Sequence, residues 1–246
     1  PNKPIIFTMA RIDTVKNIEA LIKAFAESAE LREQANLLIV TDKTDPKEAQ
    51  SSEEEALMRE WHRLITTCGL NSSLRWAGIG AEKEWVPEFY RIAADSQGVF
   101  VQPAQYEAFG LTVLEAMQTG LPVFATQNGG PSEIINEPIE KTGDSGNGFL
   151  INPYDPKSIS EKLTSFFKHT KVHPNYWSDI SRESISRVQS KYSWAKATNK
   201  TLSITRANQF ALSFVDPTHL RNVREKAILF YHANGRWPVS EMPSNR

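Results

Sequence analysis

Short apolar runs recur along this chain, and each is separated from the next by one stretch with helical periodicity. The expected strands are Pro4 to Ala10, Asn36 to Val40, Ser73 to Gly78, Gly98 to Gln102, Leu121 to Thr126 and Phe149 to Ile151. A helix is expected from Ile18 to Ala29, with Ile18, Leu21, Ile22 and Phe25 on one stripe and Asn17 as its N-cap. Another begins at Ser52, where Ser52 and Glu55 spell a capping box ahead of Leu57, Trp61, Leu64 and Ile65. Further helices are expected at Trp85 to Ala94, at Leu111 to Gln118 with Gly120 as its stop, after Pro131, and after Asp155-Pro156.

Strands that are apolar throughout, rather than alternating, are buried on both faces. Joined one by one through helices, they specify an α/β fold: a doubly wound, Rossmann-like, mainly parallel sheet. Residues 1–173 are expected to form this domain. Residues 174–246 are expected to form a helical appendage, with helical patterns to about residue 233 and then a tail rich in Pro, Ser and Asn.

Charge removes several classes of partner. Lys and Arg number 28 against 29 Asp and Glu, a net charge of −1, so no basic field invites nucleic acid or an acidic membrane surface. The longest aliphatic run, Leu37 to Val40, is far shorter than a bilayer span of about 20 residues, so no membrane span is expected. The single cysteine, Cys68, forms no internal disulfide and excludes paired-cysteine zinc signatures, pointing to a reducing cytoplasm. The Asn-x-Ser/Thr sequons at Asn71 and Asn199 are short enough to arise by chance. A chain that starts at Pro1 and enters a strand within three residues is expected to be part of something longer.

In doubly wound sheets ligands gather beyond the carboxyl ends of the strands, so the chemistry is sought in those loops. After the first strand, Arg11 and Lys16 either converge on one anion or remain solvated loop charges. After the fourth, the helix start at Gly110, Leu111 and Thr112 offers unpaired N–H groups and a positive dipole end suited to phosphate. Glu107 precedes that helix, and Glu115 lies within it among apolar neighbours, where a carboxylate needs a partner: a buried Arg or Lys, or ligand hydroxyls such as a ribose diol. The loop Asn128-Gly129-Gly130-Pro131 is either a simple turn or a further ligand contact. The string Gly78-Ile79-Gly80-Ala81-Glu82-Lys83 starts like a dinucleotide fingerprint but has Lys83 at the third glycine position. His169 and His173 lack the glutamate of H-E-x-x-H and are expected on the surface.

Together these residues resemble a known family. Arg11-x4-Lys16-Asn17 and Glu107-x7-Glu115 resemble the donor half of retaining GT-B glycosyltransferases. The strings Pro4 to Arg11, Phe100 to Ala104, Tyr106 to Thr112 and Asn128 to Ile135 look like the sucrose synthases, with the sucrose-phosphate synthases next, and the similarity runs from about residue 4 to 232. The resemblance implies the C-terminal, nucleotide-sugar-binding lobe of a two-lobed enzyme whose N-terminal lobe holds the fructose site, and it allows a homo-oligomer. It implies that Arg11 and Lys16 bind the diphosphate, that Leu111 and Thr112 give it backbone amides, and that Glu115 holds the ribose. Glu107, with Phe109 and Gly110, would contact the transferred glucose.

No metal and no cofactor is implied, the substrates being UDP or UDP-glucose, or their adenine counterparts, with sucrose and fructose. The anomeric configuration would be retained by front-face attack, a phosphate oxygen taking the acceptor proton. Two departures from the family pattern stand out: Thr41-Asp42-Lys43 replaces Gly-Gly-Asp, and Gly80 and Val86 stand where a glutamine and an asparagine lie near the uracil. A binding module that has kept the fold without turnover is the alternative from another class.

Overall fold

A computed structural model of the chain describes residues 3–80, 83–139 and 146–213. Six parallel strands, β1 (Ile5–Met9), β2 (Asn36–Thr41), β3 (Leu74–Gly78), β4 (Val99–Gln102), β5 (Val123–Thr126) and β6 (Gly148–Ile151), form one sheet in the order β3-β2-β1-β4-β5-β6. The helices are α1 (Ile18–Glu27), α2 (Ala29–Gln34), α3 (Ser52–Thr67), α4 (Val86–Asp95), α5 (Leu111–Gln118), α6 (Pro131–Ile134), α7 (Pro156–Val172), α8 (Tyr176–Lys191) and α9 (Trp194–Ser213). The doubly wound expectation therefore holds.

Apolar runs became strands here because successive side chains enter two different cores. Ile6, Val99, Val101 and Phe124 join the cluster built with α1, α2, α3 and α7, while Phe7, Phe100, Val123 and Ala125 join the one built with α4, α5 and α6. On the second face, Phe7 meets the Tyr90 ring edge-on at 5.1 Å and the Phe100 ring at 5.5 Å. Edge-to-face contacts of this kind add stabilisation to area burial.

Several boundaries shift for identifiable reasons. The expected helix Ile18 to Ala29 ends at Glu27, and α2 begins separately because the Ser28 hydroxyl accepts the Leu31 N–H at 3.1 Å. The capping box of α3 is set one residue earlier than expected: Ser51 Oγ accepts the Glu54 N–H at 3.1 Å, and Glu54 accepts the Gln50 N–H at 2.6 Å. Asn17 does not cap α1 with its side chain; it adopts a left-handed conformation at φ 53° and uses its amide elsewhere.

The chain divides into compact units at Tyr192/Ser193, and α8 belongs to the first, whereas the sequence-based boundary fell after residue 173. Strands stop before α8, which is mostly polar, yet it buries Ile180, Ser184 and Val188. Trp177 Nε1 donates to Gly98 O at 2.8 Å, and Arg187 donates to the carbonyls of Ile134 at 3.0 Å and Glu133 at 2.8 Å. The second unit is described only through α9. The helical pattern expected to about residue 233, the tail, and His219, Phe230, Tyr231 and His232 lie outside the described residues, as do Ala81 and Glu82 of the glycine-containing string.

Candidate active site

The strand order reverses between β1 and β4, since β2 and β3 lie to one side of β1 and β4, β5 and β6 to the other. Loops leaving two such strands diverge and open a crevice at their carboxyl ends.

Local hydrogen bonding shapes the loop after β1. The Asp13 carboxylate accepts the Val15 N–H at 2.8 Å, and the Lys16 N–H reaches Asp13 O at 3.0 Å, closing a short turn that ends at Asn17. The Asn17 amide donates to Pro103 O at 3.0 Å and Pro153 O at 2.8 Å, and Gln105 N–H donates to Val15 O at 2.8 Å. One side chain and one backbone bond thus fasten the loop after β1 to the loops after β4 and β6.

The loop after β4 is held equally firmly. Glu107 N–H donates to Asn128 O at 3.1 Å and Gly130 N–H to Glu107 O at 2.8 Å, making a strand-like bridge to the Asn128–Gly130 segment. The glycines allow the close approach: a Cβ at Gly129 would stand 2.2 Å from Glu107 O, and one at Gly130 2.3 Å from Phe109 O. That segment is therefore more than a simple turn, because it forms the floor under Glu107.

Between these loops, Lys16 Nζ pairs with Glu107 Oε2 at 2.7 Å, and Gln102 Nε2 donates to the same oxygen at 2.8 Å. The Lys16 and Glu107 side chains are 24% and 16% exposed, so the pair is shielded yet reachable. Burial pushes the Glu107 carboxyl up, but the Lys16 hydrogen bond and charge, with the Phe109 and Gly110 N–H groups, pull it below its ordinary value. Arg11 stands apart, 82% exposed and 3.9 Å from Asp13. Lys16 is thus joined to Glu107, and Arg11 remains a solvated cation at the crevice rim.

Helix α5 follows Gly110, which is left-handed at φ 100° and gives no side-chain cap; the first turn of the helix contains no acidic residue. Phe109 and Leu111 are exposed beside it and Thr112 is half-buried, while the Gly110 N–H expected to be unpaired is engaged by the Glu107 carboxylate. Glu115 is exposed, because Val113, Leu114, Ala116 and Met117 take the buried positions. Its partner is neither Arg nor Lys but the Tyr90 hydroxyl, which donates to Oε2 at 3.0 Å. Burial, followed by the Glu115 charge, pushes the Tyr90 phenol far up, so it stays a donor.

Gly80, at φ 54°, borders an open recess of about 470 Å³ with Gly78, Ile79, Trp85 and Phe89. Its N–H is taken by Asp42 O at 2.8 Å, so a backbone contact to a ligand there falls to its carbonyl. The Thr41-Asp42-Lys43 loop is clamped: Lys43, nine-tenths buried, pairs with Glu54 at 3.0 Å and Asp42 at 3.3 Å, and Trp76 Nε1 donates to Thr41 Oγ1 at 2.8 Å. The Glu54 hydrogen bond holds the Lys43 ammonium pKa above its usual value, while the Gln50 N–H and then Lys43 hold Glu54 below its own. Among the described residues no group of three His, Cys, Asp or Glu side chains is placed to hold a metal ion, and no helix is long and apolar enough to cross a membrane.

Sequence alone does not single out Tyr90 and Gln102, and it suggests a helix cap at Asn17 rather than the amide that joins three loops. Of the first two, only Gln102 left a signal, as a lone amide closing the apolar run Val99-Phe100-Val101.

The sequence that builds this sheet matches a recognised family of enzymes. The family model for glycosyl transferases group 1 matches residues 1–184. The chain belongs to this family.

Among the relatives of this glycosyl transferase chain, a sucrose synthase of Denitrovibrio acetiphilus is 42% identical over 210 residues, covering 85% of the chain and 26% of that protein. Sucrose synthase 4 of Oryza sativa subsp. japonica is 40% identical over 94% of the chain and 27% of its own length. The chain thus spans about a quarter of the length of these relatives. Of solved structures, the sucrose-phosphate synthase of Thermosynechococcus elongatus superposes with a TM-score of 0.66 at 25% identity, over 85% of this chain and 46% of that one. Anabaena HepE in complex with UDP-glucose shares the fold at 20% identity, with a TM-score of 0.64 over 84% of this chain and 49% of that one.

Proposed function

We propose that this chain is the nucleotide-sugar-binding lobe of a retaining glucosyltransferase that interconverts sucrose and a nucleoside diphosphate with the nucleotide glucose and fructose, UDP ahead of ADP. The observation that carries the reading is the Lys16–Glu107 pair, set at the reversal point of the sheet by loops 91 residues apart in sequence. An ammonium beside a carboxylate there can serve the two ends of one donor, the diphosphate and the hydroxyls of its sugar. The relatedness to sucrose synthases over most of the chain supports glucose as that sugar and sucrose as the product.

In the proposed reaction the bond from glucose C1 to the diphosphate oxygen breaks while a bond from C1 to the acceptor oxygen forms on the same face. The acceptor proton passes to a phosphate oxygen. The protein contributes positioning and charge: Lys16 and Arg11 on the departing diphosphate, the Leu111 and Thr112 amides behind it, Glu107 on the glucose and Glu115 on the ribose. Hydrogen bonds to charged groups contribute about 1.5–3 kcal/mol each, enough for two cations and a helix start to stabilise the diphosphate without a metal. A further lobe of the same protein would bring the fructose site.

A second reading, a sucrose-phosphate synthase, is favoured by the structural match to the Thermosynechococcus enzyme. The two are separated in the complete protein by offering UDP-glucose with fructose or with fructose 6-phosphate, in buffer containing a chelator. Transfer to fructose is the expected result. A strict requirement for the phosphorylated sugar would replace the first reading by the second, and transfer to neither would overturn both.

A further inference from the structure

Strand β4 buries all four of its residues, Val99, Phe100, Val101 and Gln102, and the last of these is an amide only 4% exposed. Gln102 is paired in register with Ala125 of β5, so its backbone is fixed by the sheet. A carboxylate can only accept, so the bond of 2.8 Å to Glu107 Oε2 must come from the amide nitrogen, and this fixes the amide's orientation. Its carbonyl oxygen, Oε1, then points away, buried, and no described residue donates to it.

An amide in this state is a poor structural choice. An apolar side chain of similar volume would fill the position without leaving a buried acceptor unpaired. What the amide does accomplish concerns Glu107. Lys16 approaches the carboxylate as a compact, rotatable point charge, which attracts without setting the plane of the carboxylate. The Gln102 N–H is directional and is anchored on a strand, so it does set that plane.

We propose that Gln102 is a positioning residue that holds the Glu107 carboxylate in the orientation needed to engage the donor sugar. The inference rests on the function proposed above. The groups facing Glu107 are Lys16 from the loop after β1, Gln102 from β4, the Phe109 and Gly110 N–H groups of its own loop, and backbone groups of Asn128 and Gly130. Among them Lys16 is the titratable one.

The test compares Gln102→Met and Gln102→Glu with wild type in the complete protein. Gln102→Met keeps the volume and removes both amide groups. It is expected to lower kcat by about tenfold or more, the loss of one hydrogen bond to a charged group. The KM for UDP-glucose should stay within about twofold and the thermal midpoint should hold or rise, because the orphaned acceptor is gone as well. Gln102→Glu keeps the shape but sets a second carboxylate against Glu107, so activity is expected to be low at neutral pH. It should recover on acidification, as a proton taken up between the two restores an O–H donor. Wild-type turnover with an unaffected Gln102→Met variant overturns this inference alone, as does a kcat loss matched by an equal loss of thermal stability, or a Gln102→Glu deficit indifferent to pH. A wild-type protein that transfers no glucose overturns the functional reading and this inference with it.

Discussion

Lys16→Ala in the complete protein is expected to lower turnover by on the order of a hundredfold or more, the scale of deleting one donor from a site that stabilises developing negative charge. Two losses combine. The ammonium that would meet the departing diphosphate is gone, and Glu107 is left 16% exposed without the cation that sits 2.7 Å from it. Removing one partner of a shielded ion pair is costly because the other charge stays buried and uncompensated. The same substitution should be visible in a pH titration of stability. In wild type the Glu107 carboxyl lies below its ordinary value of 4.5. The pair therefore contributes stability that is full above that value and is lost as pH falls through the depressed one. Without Lys16 the folded-state carboxyl is expected to rise toward its ordinary value, so the acid-side loss shrinks in the variant. Unchanged turnover in Lys16→Ala would refute the role given to the pair.

Gly129→Ala is expected to be the most damaging small substitution near the site. Gly129 sits at φ 100°, and an added Cβ would stand 2.2 Å from Glu107 O and 3.1 Å from Tyr106 Cε2. The left-handed conformation alone costs about 1–2 kcal/mol for a residue with a Cβ, and forcing atoms into a filled space costs about 1–3 kcal/mol more. A combined loss of about 3 kcal/mol corresponds to roughly 6–12 °C in thermal midpoint for a unit of this size. Gly69→Ala is the control: it shares a positive φ, 64°, but an added Cβ meets nothing within 4 Å. It should incur only the conformational term. Thermal melts of the two variants that shift equally would show that the contact of the Asn128–Gly130 segment with Glu107 is not tight. A large shift for Gly129→Ala, accompanied by loss of activity, is the outcome that the bridge to Glu107 requires.

The parts of this fold that were legible in sequence are those governed by local pattern. Runs such as Leu37 to Val40 announce strands because both faces of the sheet are covered, and Gly120 and Asp155-Pro156 mark helix ends by their own backbone preferences. Errors arose where two local solutions were equally good. Ser51 with Glu54 and Ser52 with Glu55 both spell a capping box, and the structure uses the first. Ser28 splits a stretch that periodicity alone joins, because its hydroxyl caps a new helix. Glu115 was expected to need a partner because its neighbours are apolar, and the one it meets, Tyr90, comes from α4, which sequence alone does not bring to it. The residues Lys16 and Glu107 could be picked from their loops, but their pairing could not, since it depends on which strands become neighbours across the reversal of sheet order. Asn17 shows the same limit: its amide bonds Pro103 and Pro153, and only the folded sheet brings those carbonyls to it.

The central claim, that this chain binds the nucleotide end of a sugar donor, is tested most directly by calorimetric titration of the chain with UDP, ADP and GDP, repeated on Arg11→Ala. Arg11 is 82% exposed and barely engaged by Asp13 at 3.9 Å, so its removal leaves the fold undisturbed and reports on ligand contact alone. The account predicts saturable binding of UDP, weakened about tenfold or more in the variant through loss of a charged hydrogen bond. Heats of dilution alone for all three nucleotides, or an affinity indifferent to Arg11→Ala, would contradict it.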